Sequence, residues 1–224
     1  MVKEKYVALT FDDGPCMVTT SQVLDVLEKE QVPGSFFLIG ENIQADTRAV
    51  LKRELALGCE LCNHSFSHPG LPSLTEDEIR EQLQKTSDLI VEASGKCPAF
   101  FRPPYIAVDQ RVMDIVAQMG MTSICGLGCD DWDENVGVEQ RVDTIVHGAA
   151  DGLVLLMHDL RENPKTVEAI QKIIPSLKAQ GYTFVTISDL FEKCGVKPKE
   201  KVLYSNAFQT TRYPWGDALS DDQR

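Results

Sequence analysis

The chain is predicted to be an α/β protein of one domain, and three observations carry that prediction. Short β-rich runs alternate with amphipathic helical patterns along most of its 224 residues. Those runs are continuously apolar, which suits parallel strands buried on both faces. Polar clusters recur directly after several of them, as where strand ends share one rim. Such alternation over a single domain means a (β/α) barrel or an open doubly wound sheet.

Taken in order, Tyr6-Val7-Ala8-Leu9-Thr10-Phe11 reads as the first strand, and Asp12-Asp13 follows it. Neighbours after a strand point in different directions, so one carboxylate can bind a metal while the other faces a water. Asp12-Asp13-Gly14-Pro15 is also turn chemistry in its own right, and both readings can hold at once. The next strands are Ser35–Ile39 and Glu60–Cys62. His64 and His68 follow, four apart, and on one helical turn that spacing aims both imidazoles the same way. Alone, such a pair is more often two polar loop histidines. With a paired carboxylate at another strand end, a divalent metal with an open position is the better reading. Cys59 and Cys62 suggest a rival Cys₂His₂ zinc site, but Cys62 lies in a buried strand and the spacing misses that of zinc fingers.

A capping box at Thr75 and Glu78 opens a helix whose buried face is Ile79, Leu83, Thr86 and Ile90, and Gly95 ends it. Ala99–Phe101 is a short strand, followed by Arg102-Pro103-Pro104-Tyr105. There a fixed charge on a stiff loop could orient a carboxylate. Val112, Ile115, Val116 and Met119 mark a helix before Gly120, and Thr122–Ile124 the next strand. Asp131-Trp132 then offers a carboxylate beside a large ring, fit for a sugar groove or a core plug. Val142, Ile145, Val146 and Ala149 line a helix before Gly152. Leu153–Met157 is a strand, ended by His158-Asp159, and His158 is a candidate acid. A helix with Val167, Ile170, Ile174 and Leu177 and a strand at Thr183–Thr186 complete the pattern. Residues 1–195 are read as the α/β domain that carries these clusters. Residues 196–224 are read as a polar and aromatic tail, packed on the outside or partly disordered.

Composition narrows the function classes. A net charge of −12 argues against nucleic acid, whose phosphates need a basic face. No G-x-G-x-x-G or P-loop follows a strand. No apolar run approaches the roughly 20 residues of a membrane span. Seven cysteines in no evident framework read as reduced, mostly buried thiols. Met1–Lys5 leads into the first strand without an apolar leader. The expected location is cytoplasmic, or secreted or in the cell envelope where a leader precedes this sequence.

Five segments together resemble the NodB-homology polysaccharide deacetylases, carbohydrate esterase family four. These are Thr10-Phe11-Asp12-Asp13-Gly14-Pro15, His64-Ser65-Phe66-Ser67-His68, Arg102-Pro103-Pro104-Tyr105, Asp131-Trp132 and Leu156-Met157-His158-Asp159, in the family's order. The resemblance implies a distorted (β/α) barrel of fewer than eight regular repeats. It implies one divalent ion, zinc or cobalt, on Asp13, His64 and His68. It implies Asp12 as general base positioned by Arg102, and His158 as general acid tuned by Asp131. The Tyr105 backbone N–H would hold an oxyanion, Trp132 would wall the groove, and Leu156 would cup the acetyl methyl. The spacing from Gly126-Leu127 through Trp132 and the segment Ile174-Pro175-Ser176-Leu177 look most like bacterial acetylxylan esterases. The expectation is therefore O-deacetylation of xylan, with N-deacetylation of chitin oligosaccharides or peptidoglycan as the alternative and a non-catalytic glycan-binding module behind both. Cys59, Cys62, Ile106 and Cys129 depart from the family pattern without removing a catalytic group.

Overall fold

A computed structural model describes residues 4–216. Eight strands form one sheet: β1 (Lys5–Asp12), β2 (Ser35–Leu38), β3 (Glu60–Asn63), β4 (Phe100–Phe101), β5 (Thr122–Ile124), β6 (Leu153–His158), β7 (Tyr182–Val185) and β8 (Leu203–Tyr204). Every named pairing is parallel, in the order β6-β1-β2-β3-β4-β5-β8, with β7 alongside β1. The sheet curls into an incomplete barrel. Past its last strand the chain reaches back to β6: the Val154 N–H donates to the Ser205 carbonyl at 2.9 Å, and the Leu127 N–H donates to the Val154 carbonyl at 2.9 Å.

β1 is the hub. Its last six residues are buried; β7 pairs with Lys5–Ala8, β2 with Thr10–Asp12, and β6 with Val7–Asp12. A strand packed on both faces needs the unbroken apolar run that Val7–Phe11 supplies. The register with β6 sets Asp12 opposite His158. Two acid–base groups 146 positions apart thus become lateral neighbours.

Seven helices cover the outside: α1 (Thr19–Glu30), α2 (Arg48–Ala56), α3 (Glu76–Ser94), α4 (Gln110–Gln118), α5 (Val138–Gly148), α6 (Pro164–Ala179) and α7 (Ile187–Lys193). The capping box on α3 is present in both arms, and Gly95 closes that helix at φ 72°. The core side of α6 buries Ile170, Ile174 and Leu177, against β1 residues such as Leu9 and Phe11. Phe11 stacks on Phe36 with centroids 5.1 Å apart. Among the described residues no helix is long and apolar enough to cross a membrane.

The structure adds elements beyond those read from the sequence: α1, α2, α7 and β8. It also corrects one. His64 and His68 do not share a helical turn, because β3 ends at Asn63 and residues 64–68 form a loop with left-handed backbone at Ser65 (φ 65°) and His68 (φ 57°). From the tail, Leu203–Tyr204 pairs with β5 and Tyr213 is buried; residues 217–224 lie outside the described residues.

Candidate active site

All ten candidate site residues come from strand ends or the loops that follow them. Asp12, Asp13, His64, His68, Tyr105, Trp132, Leu156 and His158 line one cleft of about 570 Å³. Arg102 and Asp131 are buried behind it. Cys125, Gly126 and Ile106 share the lining; no polar pattern in the sequence marks the first two.

Asp13 Oδ1 stands 3.4 Å from His64 Nε2 and 3.5 Å from His68 Nε2. Those separations exceed a good hydrogen bond, and Asp13 Oδ1 is buried without a hydrogen-bond partner. Two donors held about 2.1 Å from one ion at a tetrahedral angle stand about 3.4 Å apart, so the spacing fits a shared cation. The tautomer fits as well. His64 Nδ1 meets the Arg102 carbonyl at 2.7 Å, and a carbonyl only accepts. Nδ1 therefore carries the proton and Nε2 presents its lone pair. Burial lowers the pKa of His68, which favours its neutral imidazole. Burial acts to raise the Asp13 pKa, but the surrounding imidazoles, His64 first, when protonated outweigh it and hold the carboxyl below its ordinary value. Donors in these states suit a divalent metal. Asp13, His64 and His68 are the one such group among the described residues. Cys59 and Cys62 stand apart from it as free thiols, and burial pushes the Cys59 pKa to about 12.

The loops achieve this convergence with unusual backbone. Asp13 (φ 76°), Ser65, His68, Tyr105 (φ 58°), Ile106 (φ 54°) and Asp130 (φ 52°) all occupy the left-handed region without being glycine. Such conformations cost about 1–3 kcal/mol each and gather at functional sites.

Asp12 is buried and held from behind. Arg102 Nη1 donates to Asp12 Oδ1 at 2.5 Å and to Thr10 Oγ1 at 2.9 Å, while Nη2 donates to the Cys125 carbonyl at 2.7 Å. The guanidinium lies over the Phe37 ring at 4.0 Å. With both terminal nitrogens engaged by three acceptors, the guanidinium fixes one carboxylate oxygen and leaves Oδ2 toward the cleft.

His158 is held in the same manner. Its Nδ1 lies 2.7 Å from Asp131 Oδ1, and its backbone N–H donates to Asp131 Oδ2 at 2.8 Å. Thr166 and Asn163 secure Asp131 in turn, through its Oδ2 and its carbonyl. Burial acts to lower the His158 pKa, but the hydrogen bond and charge of Asp131, with Asp12 and Asp13, overcome it and raise the value to about 9. Sequence reading missed Asn163, Thr166 and Thr10; small polar residues at element ends carry no signal of their own.

The rim is aromatic. Tyr105 and Trp132 are 73% and 62% exposed, although both are large rings that ordinarily seek cover. The Tyr105 ring lies edge-on to His68 at 4.6 Å. Leu156, buried, contributes an apolar floor.

Comparison with known proteins gives one family. The polysaccharide deacetylase profile matches residues 1–124. A bifunctional xylanase/deacetylase of Pseudobutyrivibrio xylanivorans is 43% identical over 204 residues, which is 91% of this chain and 33% of that protein. The chain thus spans about a third of the length of that relative. The Xyl-CE4 domain of a multidomain xylanase from the hindgut metagenome of Trinervitermes trinervoides superposes with a TM-score of 0.88 at 43% identity, covering 92% of this chain and 98% of that one. A family 4 acetyl xylan esterase from Clostridium thermocellum, solved with a cobalt ion, gives 0.87 at 37% identity, covering 92% and 100%.

Proposed function

The chain belongs to the polysaccharide deacetylase family, and from that premise we propose that it is a metal-dependent hydrolase releasing acetyl groups from a polysaccharide, foremost O-acetyl groups of xylan. The observation that carries this is the meeting of a metal-competent Asp13–His64–His68 cluster with Asp12 and His158 in one cleft. Xylan is favoured because similar proteins bear that substrate in their names.

Asp13, His64 and His68 would hold a divalent ion, zinc or cobalt, which when bound would supply Lewis acidity toward an acyl carbonyl and lower the pKa of water toward ~7. The chain's own groups do the rest. Asp12, its Oδ1 tied to Arg102, takes a proton from the attacking water at Oδ2. The Tyr105 backbone N–H donates to the oxygen that becomes negative as the carbonyl carbon turns tetrahedral. His158, with Nδ1 fixed by Asp131, gives the proton on Nε2 to the sugar oxygen as the acyl C–O bond breaks. Acetate and a free sugar hydroxyl are the products. Leu156 accommodates the acetyl methyl, and Tyr105 and Trp132 offer faces on which a sugar ring can stack.

The test is acetate release from acetylated xylan, acetylated chitooligosaccharides and peptidoglycan, with zinc- and cobalt-loaded protein. Acetylated xylan is expected to be the best substrate. Asp12→Ala and His158→Ala are each expected to abolish release while the circular dichroism spectrum stays native. Binding of xylan without any acetate release under either metal means a glycan-binding module instead. Preferential release from an N-acetylated glycan moves the assignment to an N-deacetylase.

A further inference from the structure

Asp159 has no part in the chemistry above, yet its surroundings are as specific as those of Asp131. It is fully buried directly after His158. Its Oδ2 accepts the Thr20 hydroxyl at 2.5 Å, and that hydroxyl oxygen accepts the Cys16 N–H at 2.7 Å. Its own N–H donates to the Asp12 carbonyl at 3.0 Å. Gly14 packs so closely on the carboxyl that a Cβ there would lie 2.5 Å from Oδ2 and 2.9 Å from Oδ1. Oδ1 is buried and has no hydrogen-bond partner. An acid in such a place is costly unless something else repays it. Its hydrogen bonds and its tightest packing fall on residues 12–20, the segment that bears Asp13, with the buried Glu54 also within electrostatic reach.

We propose that Asp159 is a positioning residue for the metal-ligating loop: acting through Thr20 and against Gly14, it holds residues 12–16 so that Asp13 faces His64 and His68. This rests on the metal-dependent reading above.

The loop needs holding, because Asp13 sits in a left-handed conformation that an isolated Asp-Gly-Pro segment would not keep. One side is secured from β2 and the turn after it: Ile39 donates its N–H to the Gly14 carbonyl at 2.9 Å, and Asn42 Nδ2 donates to the Asp13 carbonyl at 2.8 Å. Asp159 and Thr20 secure the other side, from β6 and α1. Without them the loop is tethered along one edge, and Asp13 can rotate away from the imidazoles.

Zinc titration calorimetry on metal-stripped protein tests this without reference to turnover. Wild type is compared with Asp159→Asn, Thr20→Val and Thr20→Ser, and the melting temperature of each metal-free form is measured alongside. Asp159→Asn and Thr20→Val are expected to weaken zinc binding about 10–100-fold, the range for groups that orient a metal ligand. Thr20→Ser, which keeps the hydroxyl, is expected to restore wild-type affinity. In acetate release, the two weakened variants should lose kcat at limiting zinc and regain part of it in excess zinc, with KM unchanged. Wild-type zinc affinity in Asp159→Asn overturns the proposal. Should that variant fail to fold, equal affinities in Thr20→Val and Thr20→Ser overturn it instead. A wild type that binds no zinc defeats the metal-dependent reading and this inference together, whereas tight wild-type binding with unchanged variants defeats only the inference.

Discussion

Asp131 gives His158 two things at once, a fixed ring orientation and a reason to stay protonated. Its Oδ1 accepts from Nδ1 and its Oδ2 accepts from the His158 backbone N–H, so Nε2 is the atom left for the cleft. Burial alone would strip the proton from the imidazole; the charge of Asp131, helped by Asp12 and Asp13, reverses that and brings the pKa to about 9. A general acid must carry its proton, so kcat/KM should fall as pH rises through the His158 pKa. Asp131→Asn keeps the shape and removes the charge, which lowers that pKa. The alkaline limb should then move to lower pH. A cation at the cluster lowers the value in both proteins, so the displacement between the two profiles is the quantity to measure. Coincident alkaline limbs would show that Asp131 does not set the proton on His158.

At the scale of elements, α3 shows how a helix end is secured. The Glu78 carboxylate accepts the Thr75 N–H and the Thr75 hydroxyl, both at 2.8 Å, whereas the Thr75 oxygen accepts the Glu78 N–H at a longer 3.4 Å. The carboxylate arm is the tighter one. Thr75→Ala is expected to cost about 1 kcal/mol, and Glu78→Ala should lower the melting temperature at least as much. A negligible effect of Glu78→Ala would show that the hydroxyl arm alone caps the helix. This end was legible because its cap and its closing Gly95 are residue types that signal themselves. The starts of α1 and α2 were not, since Val18 and Thr47 make no side-chain cap. Thr186 does cap α7, through the Asp189 N–H, but its β-branched side chain also suits the strand to which the sequence pattern assigned it. The histidine pair shows the same limit. Four-residue spacing reads as a helical turn, while the left-handed Ser65 and His68 that produce the actual convergence are not glycine and leave no trace in the sequence.

The whole molecule divides its labour between a rim that gathers chemistry and a body that holds the rim together. The rim was legible because Asp12, Asp13, His64, Arg102 and His158 stand at or just past the ends of apolar runs, and parallel strands bring such ends together whatever their distance in sequence. Closure of the barrel was not, because β8 is two residues long within a polar tail. That strand matters to the site. The Cys125 N–H donates to the Tyr204 carbonyl at 2.7 Å, and the Cys125 carbonyl accepts from Arg102, the residue that holds Asp12. Truncation after residue 195 should therefore yield insoluble or non-cooperatively melting protein; a truncated chain with native melting would make the tail dispensable. In the body, Glu54 on α2 is fully buried and neither carboxylate oxygen has a hydrogen-bond partner. Burial, with the nearby Asp159 charge, raises its pKa well above the ordinary glutamate value. A carboxyl whose pKa is raised in the folded state contributes progressively less to stability as pH climbs above the unfolded value, because the unfolded chain then releases a proton that the folded chain retains. The stability tied to Glu54 is thus fully present below the ordinary glutamate pKa and is lost as pH climbs toward the folded value. Glu54→Met, close in size and without charge, should stabilise the protein by about 1–3 kcal/mol at neutral pH, with little gain in acid. Denaturant melts of both proteins across pH provide the measurement, and a gain independent of pH, or a loss at neutral pH, would mean that Glu54 is ionised and paired within the fold.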